Sequence, residues 1–191
     1  MTPRGLIFDF DGTLVDSMPS HFAAWTEACQ PHGIHFPENR FYTLGGIPTR
    51  QILEMLKAEQ GIEFDSAAVG LSKEEGYLRR LNLVTRIEPV IEIARANRGK
   101  IPLAIATGGR HHIINQVIDL LDLNGWFEAI VTSEDVINQK PAPDIFLEAA
   151  RRIQIEPQYC RAFEDTDIGI QAIRDAGMEA MDVRELLAVG R

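Results

Sequence analysis

The stretch Leu6–Asp16, "LIFDFDGTLVD", places two carboxylates one residue apart after a short apolar run and then turns at a glycine. In an extended chain, residues i and i+2 point to the same side, so Asp9 and Asp11 project together from a strand end or its first turn. Two like charges at this spacing raise the pKa of one acid unless a cation or a hydrogen-bond network offsets the charge. The pair therefore predicts a charged partner.

Two other interpretations of this segment need weighing. An Asp-Gly dipeptide between apolar residues is also typical of a hairpin turn, and this alternative stays open on the segment alone. An EF-hand calcium loop needs Gly at its sixth position and Glu at its twelfth. Counted from Asp9, Gly12 is fourth and Ser20 is twelfth, so the calcium loop is excluded.

The composition of the 191 residues is that of a globular protein, with 45% apolar and 25% charged side chains. No segment approaches the roughly 18 consecutive apolar residues of a membrane span, and the N-terminus lacks the apolar region of a signal peptide. We therefore expect a cytoplasmic protein. A formal net charge of −9 repels nucleic acid and anionic membranes, so we expect neither as a partner. Cys29 and Cys160 lack CxxC spacing and are interpreted as buried thiols.

Short apolar runs alternate with segments of helical period along the second half of the chain. Strands are predicted at Gly5–Phe10, Leu103–Thr107, Glu128–Thr132, Arg161–Glu164 and Glu179–Asp182. The segments "IINQVIDLLDL", "DIFLEAARRI" and "DIGIQAIRDAG" between them carry apolar residues three and four apart. This alternation predicts an α/β fold with a doubly wound parallel sheet that helices cover on both faces.

The region 17–82 lacks comparable strand signals and is predicted to be helical, as in "SHFAAWTEAC" and "RQILEMLKAEQ". The sequence thus predicts an α/β core from residues 1–16 and 83–191, with a helical insertion directly after the first strand.

Polar residues follow four of the predicted strands, and parallel strands bring their carboxyl ends to one edge, where ligands bind. The residues are Asp9 with Asp11, Thr107 with Gly108, Lys140, and Glu164 with Asp165. The acids offer the hard oxygen ligands that Mg²⁺ prefers, and the cation would screen an approaching phosphate. The hydroxyl, the glycine N–H and the lysine can bind phosphoryl oxygens. A small phosphorylated metabolite is the predicted partner.

The chemistry follows from this set of groups. One carboxylate of the Asp9 and Asp11 pair can attack the phosphorus to form an aspartyl phosphate, while the other protonates the leaving alcohol and later activates water. The residues alone leave open which acid does which. Glu164 and Asp165 also suit a helix N-terminus, with Asp165 or Thr166 as the N-cap, and this role is compatible with metal binding.

The motifs "DFDGT", "ATGG", "QKPAPD" and "FEDTDIGIQAIRDAG" occur in this order across nearly the whole chain. In these motifs the sequence resembles the haloacid dehalogenase-like (HAD) phosphohydrolase superfamily with its Rossmann-like core. The resemblance implies that Asp9 is the nucleophile and Asp11 the general acid and base. It also implies that Mg²⁺ is held by the Asp9 carboxylate, the Asp11 backbone carbonyl and Asp165, with Glu164 as a ligand in the β-phosphoglucomutase-like branch.

The helical insertion resembles the small cap of that branch, with "SMPSHFAAW" at the cap entry. The resemblance places His21 where it can assist proton transfer, although His21 and Trp25 also lie on one helix face and can simply pack. The segments "KPAPDIFL", "FEDTDIGIQA" and "AGMEAMDVR" resemble bacterial fructose-1-phosphate phosphatases. A monomer is expected, because the cap must open and close over the site.

The function expected from the sequence is a Mg²⁺-dependent phosphatase for small phosphorylated sugars or sugar acids, with fructose 1-phosphate first and 6-phosphogluconate behind it. A β-phosphoglucomutase-type isomerase is the alternative. It is disfavoured because Thr49 stands where mutases carry an arginine, with Arg50 one position further on. A non-catalytic phosphosugar sensor is a second alternative. A dehalogenase is disfavoured because that chemistry in the family lacks the second aspartate, present here as Asp11.

Overall fold

A computed structural model describes residues 2–188 of the chain. The chain divides into two compact units. One unit contains the residues up to Asp16 together with those from Thr85 onward, and the other is Ser17–Val84. The interpretation of the second unit as a cap stays a prediction.

The first unit is built on a parallel sheet of five strands in the order β5-β4-β1-β6-β7. The strands of the described residues are β1 (Gly5–Phe8), β2 (Val15–Asp16), β3 (Thr85–Arg86), β4 (Leu103–Ala106), β5 (Ala129–Val131), β6 (Cys160–Glu164) and β7 (Glu179–Asp182). All four residues of β1 and of β4 are buried, which explains why both strands are continuous apolar runs. The predicted doubly wound α/β fold is confirmed.

Nine α-helices lie among residues 2–188, five of them in the first unit. They are α1 (Met18–Cys29), α2 (Glu38–Thr43), α3 (Thr49–Gln60), α4 (Ser66–Leu78), α5 (Glu88–Asn97), α6 (His111–Leu120), α7 (Asp144–Arg152), α8 (Asp167–Asp175) and α9 (Val183–Ala188). Phe146 of α7 is fully buried in a cluster with small residues of the sheet, among them Ala104 and Ala162. These alanines are the register partners of Ile7 on its two sides, and their small side chains leave room for Phe146 to pack against the centre of the sheet.

The second unit is helical, as the sequence predicts for this region: α1 to α4 and two short 3₁₀ segments account for all regular structure that is described in residues 17–84. Its core includes Trp25, Phe36, Phe41 and Leu53, all of them buried. The packing interpretation of Trp25 is therefore confirmed.

A two-stranded antiparallel ribbon was not predicted from the sequence. Val15 pairs with Arg86 and Asp16 pairs with Thr85, so β2 and β3 lie side by side where the chain leaves and re-enters the first unit. Each of these strands has only two residues, which is too short for an alternation of apolar and polar side chains to be detected in the sequence.

Candidate active site

The strand order reverses between two neighbouring strands of the sheet, β1 and β6. From β1 the chain adds β4 and then β5 on one side of β1, whereas β6 and then β7 are added on the opposite side of β1. Asp9 directly follows β1, and Glu164 is the last residue of β6. The backbone N–H of Asp9 donates to the carbonyl of Phe163 at 2.9 Å, which continues the pairing of the two strands. The first and last acidic motifs therefore meet at the position where open α/β sheets bind ligands.

Three carboxylates form a compact acidic cluster at this edge. Ligand oxygens of Asp9, Glu164 and Asp165 all lie within 4.8 Å of one another. Asp9 is 6% exposed and Glu164 is 1% exposed, so the cluster is largely shielded from solvent. Within residues 2–188, the Asp11 side chain is not part of this group. Buried, closely spaced oxygen ligands are a donor set that fits a hard divalent cation.

Lys140 is the cationic residue of the site, and it is itself buried. Its Nζ donates to Asp9 Oδ1 at 2.6 Å and to Glu164 Oε1 at 2.9 Å. Burial lowers the pKa of the ammonium group, but the charges of Asp9 and Glu164 outweigh that effect and raise its pKa overall. Lys140 is therefore a permanent positive charge between the two strand ends.

The electrostatics of the acids reflect their crowding. Burial raises the pKa of Asp9 well above its usual range; the charge of Lys140 opposes this shift, while those of Glu164 and Asp165 add to it. Burial, followed by the charge of Glu164, raises the pKa of Asp165 to about 7, against a hydrogen bond from Thr13. A bound cation would offset this excess of negative charge. Such a cation is the charged partner that the sequence predicts.

The segment after β1 is a tight turn. The carbonyl of Phe10 accepts hydrogen bonds from Leu14 N at 2.9 Å and Val15 N at 3.0 Å. Gly12 has a φ of +85°, and a Cβ at this position would lie 2.3 Å from Asp165 Oδ2. The turn that the Asp-Gly dipeptide indicates is thus present and is also part of the site, because its glycine makes room for an acid of the cluster.

Thr107 and Gly108 follow β4, which pairs with β1 in parallel and so ends at the same edge of the sheet. Thr107 is buried, and its Oγ1 accepts a hydrogen bond from Gly109 N at 3.0 Å, which leaves the hydroxyl proton for another acceptor. Gly108 is exposed, and a Cβ there would meet nothing within 4 Å. Sequence reasoning missed Ser133, whose N and Oγ both donate to the carbonyl of Gly109, at 3.1 and 2.9 Å.

His21 belongs to the second unit, where it is half-buried. Its ring stacks on Tyr77 with centroids 3.8 Å apart, and its Nδ1 lies 3.1 Å from Lys73 Nζ. Lys73 was not singled out in the sequence, because a lysine in a helix without a motif looks like any solvated lysine. The role of His21 in proton transfer stays a prediction.

Residues 3–177 match the family model described as haloacid dehalogenase-like hydrolase. The chain belongs to this family. The HAD membership and the hydrolase class expected from the sequence are confirmed.

Individual HAD relatives cover almost the full chain. Fructose-1-phosphate phosphatase YqaB of Escherichia coli (strain K12) is 37% identical over an alignment of 184 positions that covers 95% of this chain and 97% of that protein. Beta-phosphoglucomutase of Bacillus subtilis (strain 168) is 30% identical over an alignment of 192 positions, gaps included, that covers 94% of this chain and 83% of that protein. The crystal structure of a hydrolase from Pseudomonas syringae has a TM-score of 0.83 at 26% identity and covers 97% of this chain and 90% of its own.

No helix within residues 2–188 combines the length and the apolar character needed to cross a membrane. Cys29 and Cys160 are both buried free thiols, as the sequence predicts, and burial raises the pKa of each to about 11.

Proposed function

We propose that this HAD hydrolase is a Mg²⁺-dependent phosphatase that acts on small phosphorylated sugars or sugar acids. The observation that carries the proposal is the buried ammonium of Lys140, 2.6 Å from Asp9 Oδ1, beside a three-carboxylate cluster. A fixed cation next to a carboxylate nucleophile is what a phosphoryl group needs for binding and for in-line attack. The similarity to fructose-1-phosphate phosphatase YqaB supports fructose 1-phosphate as the first substrate to test, followed by 6-phosphogluconate.

Asp9 is the proposed nucleophile. A carboxylate oxygen of Asp9 attacks the phosphorus, the bond to the sugar oxygen breaks, and Asp11 donates a proton to the leaving alcohol. Water then attacks the phosphorus of the aspartyl phosphate, Asp11 accepts the proton of this water, and the bond to Asp9 breaks to release phosphate. Lys140 favours the ionised form of Asp9 and stabilises charge on the transferring group.

The proposed metal site consists of Asp9, Glu164 and Asp165, together with the backbone carbonyl of Asp11. When bound, Mg²⁺ supplies positive charge that offsets the acids and the substrate phosphate. Thr107 Oγ and the N–H of Gly108 are proposed to donate hydrogen bonds to phosphoryl oxygens.

The second candidate function is a β-phosphoglucomutase-type isomerase, which the 30% identical relative favours. Both reactions pass through an aspartyl phosphate. They differ in its lifetime, because a mutase must keep the phosphoryl group on Asp9 while the sugar reorients. A pure phosphosugar sensor is disfavoured, because a protein that only binds its ligand does not need a nucleophile such as Asp9, hydrogen-bonded to the buried Lys140.

The test measures phosphate release from a panel of sugar phosphates with and without Mg²⁺. Asp9→Asn removes the attacking oxyanion at constant size, and turnover is expected to fall by about 10⁴-fold or more. Asp119→Asn, at an exposed position of α6, is the matched control and is expected to behave as the wild type. Near wild-type turnover of Asp9→Asn would disprove the covalent mechanism. Conversion of β-glucose 1-phosphate to an isomer without phosphate release would favour the mutase instead.

A cytoplasmic location and a monomeric state complete the proposal. The acidic balance of the chain, with a net charge of −9, supports a partner that is a small metabolite rather than nucleic acid or an anionic membrane. Size-exclusion chromatography with light scattering measures the oligomeric state directly.

A further inference from the structure

The Glu164 carboxylate is held by donors on both of its oxygens. Oε1 accepts the hydrogen bond from Lys140 Nζ at 2.9 Å. Oε2 accepts one hydrogen bond from the backbone N–H of Thr166 and one from Thr166 Oγ1, the latter at 2.9 Å. Because Glu164 is only 1% exposed, water has little access to replace a donor that is lost.

Thr166 is at the same time the N-cap of α8. Its backbone is extended, with φ −114° and ψ 148°, and its Oγ1 accepts a hydrogen bond from Gly169 N at 3.2 Å. A hydroxyl has one proton and two lone pairs, so it can cap the helix and donate to Glu164 together. One side chain therefore ties the first turn of α8 to the Glu164 carboxylate.

Gly169 confines the same carboxylate from the other side. A Cβ at Gly169 would lie 1.8 Å from Glu164 Oε1, far too close for two atoms that are not bonded to each other. Any larger residue would thus displace Glu164. In the segment "TDIG" at the start of α8, Thr166 therefore donates a hydrogen bond to Glu164, and Gly169, which has no side chain, leaves space for the Glu164 carboxylate.

We propose that Thr166 is a positioning residue that orients the Glu164 carboxylate toward Lys140 and the metal site. The last torsion of a glutamate side chain has broad preferences, so hydrogen-bond partners decide where its two oxygens point. Without the hydroxyl, Oε2 keeps only the backbone donor, and the oxygen that faces Lys140 is less well fixed. The proposal rests on the proposed function, in which Lys140 and the acids serve the phosphoryl group and Mg²⁺.

The two roles of Thr166 can be separated by substitution. Thr166→Ser keeps both the cap and the donor. Thr166→Gly keeps most of the capping preference but removes the donor. Asp65→Gly is the matched control, because exposed Asp65 caps α4 through hydrogen bonds from Ala67 N and Ala68 N in the second unit.

Two readouts are measured on the full chain: the Mg²⁺ dissociation constant by calorimetry without substrate, and kcat and KM for phosphate release. Thr166→Gly is expected to lose about 10- to 100-fold in Mg²⁺ affinity or in kcat/KM, the usual effect of removing a partner of a metal ligand. Thr166→Ser is expected to recover most of this loss. Asp65→Gly is expected to lower Tm about as much as Thr166→Gly while keeping the Mg²⁺ affinity of the wild type.

Wild-type Mg²⁺ affinity and kcat/KM in Thr166→Gly would overturn the proposal, as would an equal loss in the Ser and Gly variants. If Thr166→Gly does not fold, Thr166→Val removes the donor and the cap together at nearly constant side-chain shape, and Asp65→Val is then the control for the loss of a cap. Failure of the proposed function looks different: the wild type would release no phosphate from any sugar phosphate, while calorimetry would still compare the variants.

Discussion

Two sites in the first unit each place one cation between two carboxylates, but they differ in exposure. At the edge of the sheet, Lys140 lies between Asp9 and Glu164, and all three side chains are at most 8% exposed. On α7, Arg152 lies between Asp135 and Glu148 at 2.5 and 2.7 Å, with side-chain exposures of 15–30%.

The pKa values of one aspartate in each cluster, Asp9 and Asp135, shift in opposite directions. Burial dominates at Asp9 and raises its pKa. At Asp135, burial is the largest single influence and raises the pKa, but the hydrogen bonds from Arg152 and Thr132 and the charge of Arg152 together outweigh it and lower the pKa to about 2. The exposed cluster is thus electrostatically satisfied, because Arg151 also donates to Glu148. The buried one retains excess negative charge, because Asp165 is a third acid beside Asp9 and Glu164. An unsatisfied buried cluster costs stability, and such clusters are concentrated at functional sites.

Replacement of the central cation should break this comparison most strongly. Lys140→Met leaves Asp9 and Glu164 buried without a counter-charge, and we expect a loss of about 3–5 kcal/mol in the free energy of unfolding. The matched change Arg152→Met removes a partly exposed cation, for which about 1 kcal/mol is expected. Urea denaturation measures both values. Equal losses would show that burial does not distinguish the clusters.

Phosphate release by Lys140→Met, measured at a temperature at which the variant is folded, should fall by about 10²- to 10³-fold, as for loss of a charge-stabilising donor. Arg152→Met should retain its turnover. A Lys140→Met variant that is as active as Arg152→Met would exclude the lysine from phosphoryl binding.

Crowding at Glu164 gives a smaller expected effect. Gly169→Ala places a Cβ 1.8 Å from Glu164 Oε1, so the carboxylate must leave the position in which it accepts from Lys140. We expect about 10- to 100-fold lower Mg²⁺-dependent activity. Gly70→Ala, in α4, is the control, because its Cβ would meet its nearest neighbours at an ordinary 3.7 Å. An equally active Gly169→Ala variant would mean that the position of Glu164 is unimportant.

The exposed cluster sharpens the comparison through its pH dependence, which is the smallest effect. The folded pKa of Asp135, about 2, lies below its unfolded value of about 3.9. Its contribution to stability is therefore complete above the unfolded pKa and is lost as the pH falls through the folded one. Asp135→Asn should flatten the loss of stability between about pH 4 and pH 2. Thermal denaturation of the wild type and the variant across this pH range measures the difference. The same loss of stability at low pH in both proteins would contradict the lowered pKa of Asp135.

Much of the fold and the composition of the candidate site could be predicted because both depend on local patterns. The apolar runs predicted the strands of the sheet. The polar residues that follow those strands along the chain, among them Asp9, Lys140 and Glu164, predicted the site. Their meeting follows from the rule that parallel strands share a carboxyl edge. The roles of these residues in catalysis and metal binding stay predictions.

Interactions between distant segments could not be predicted in the same way. Ser133 bonds to Gly109 across 24 positions, and nothing in its neighbours indicates this contact. Thr166 could be predicted as a helix cap from its type and place, but its second bond depends on where the Glu164 carboxylate points. Such information exists only in three dimensions.

The short ribbon of β2 and β3 has a consequence for the modularity of the chain. Asp16 and Thr85 are paired residues of an antiparallel ladder, so the two ends of the 68-residue second unit are anchored side by side. A two-residue hairpin loop is enough to join such a pair. Insertions of very different length can therefore be accommodated at this point, since each doubling of loop length adds only about 0.6 kcal/mol to the closure cost. Because the ribbon fixes both ends of the insertion, the length of the helical insert can change without a change in the strands of the first unit that position the acids.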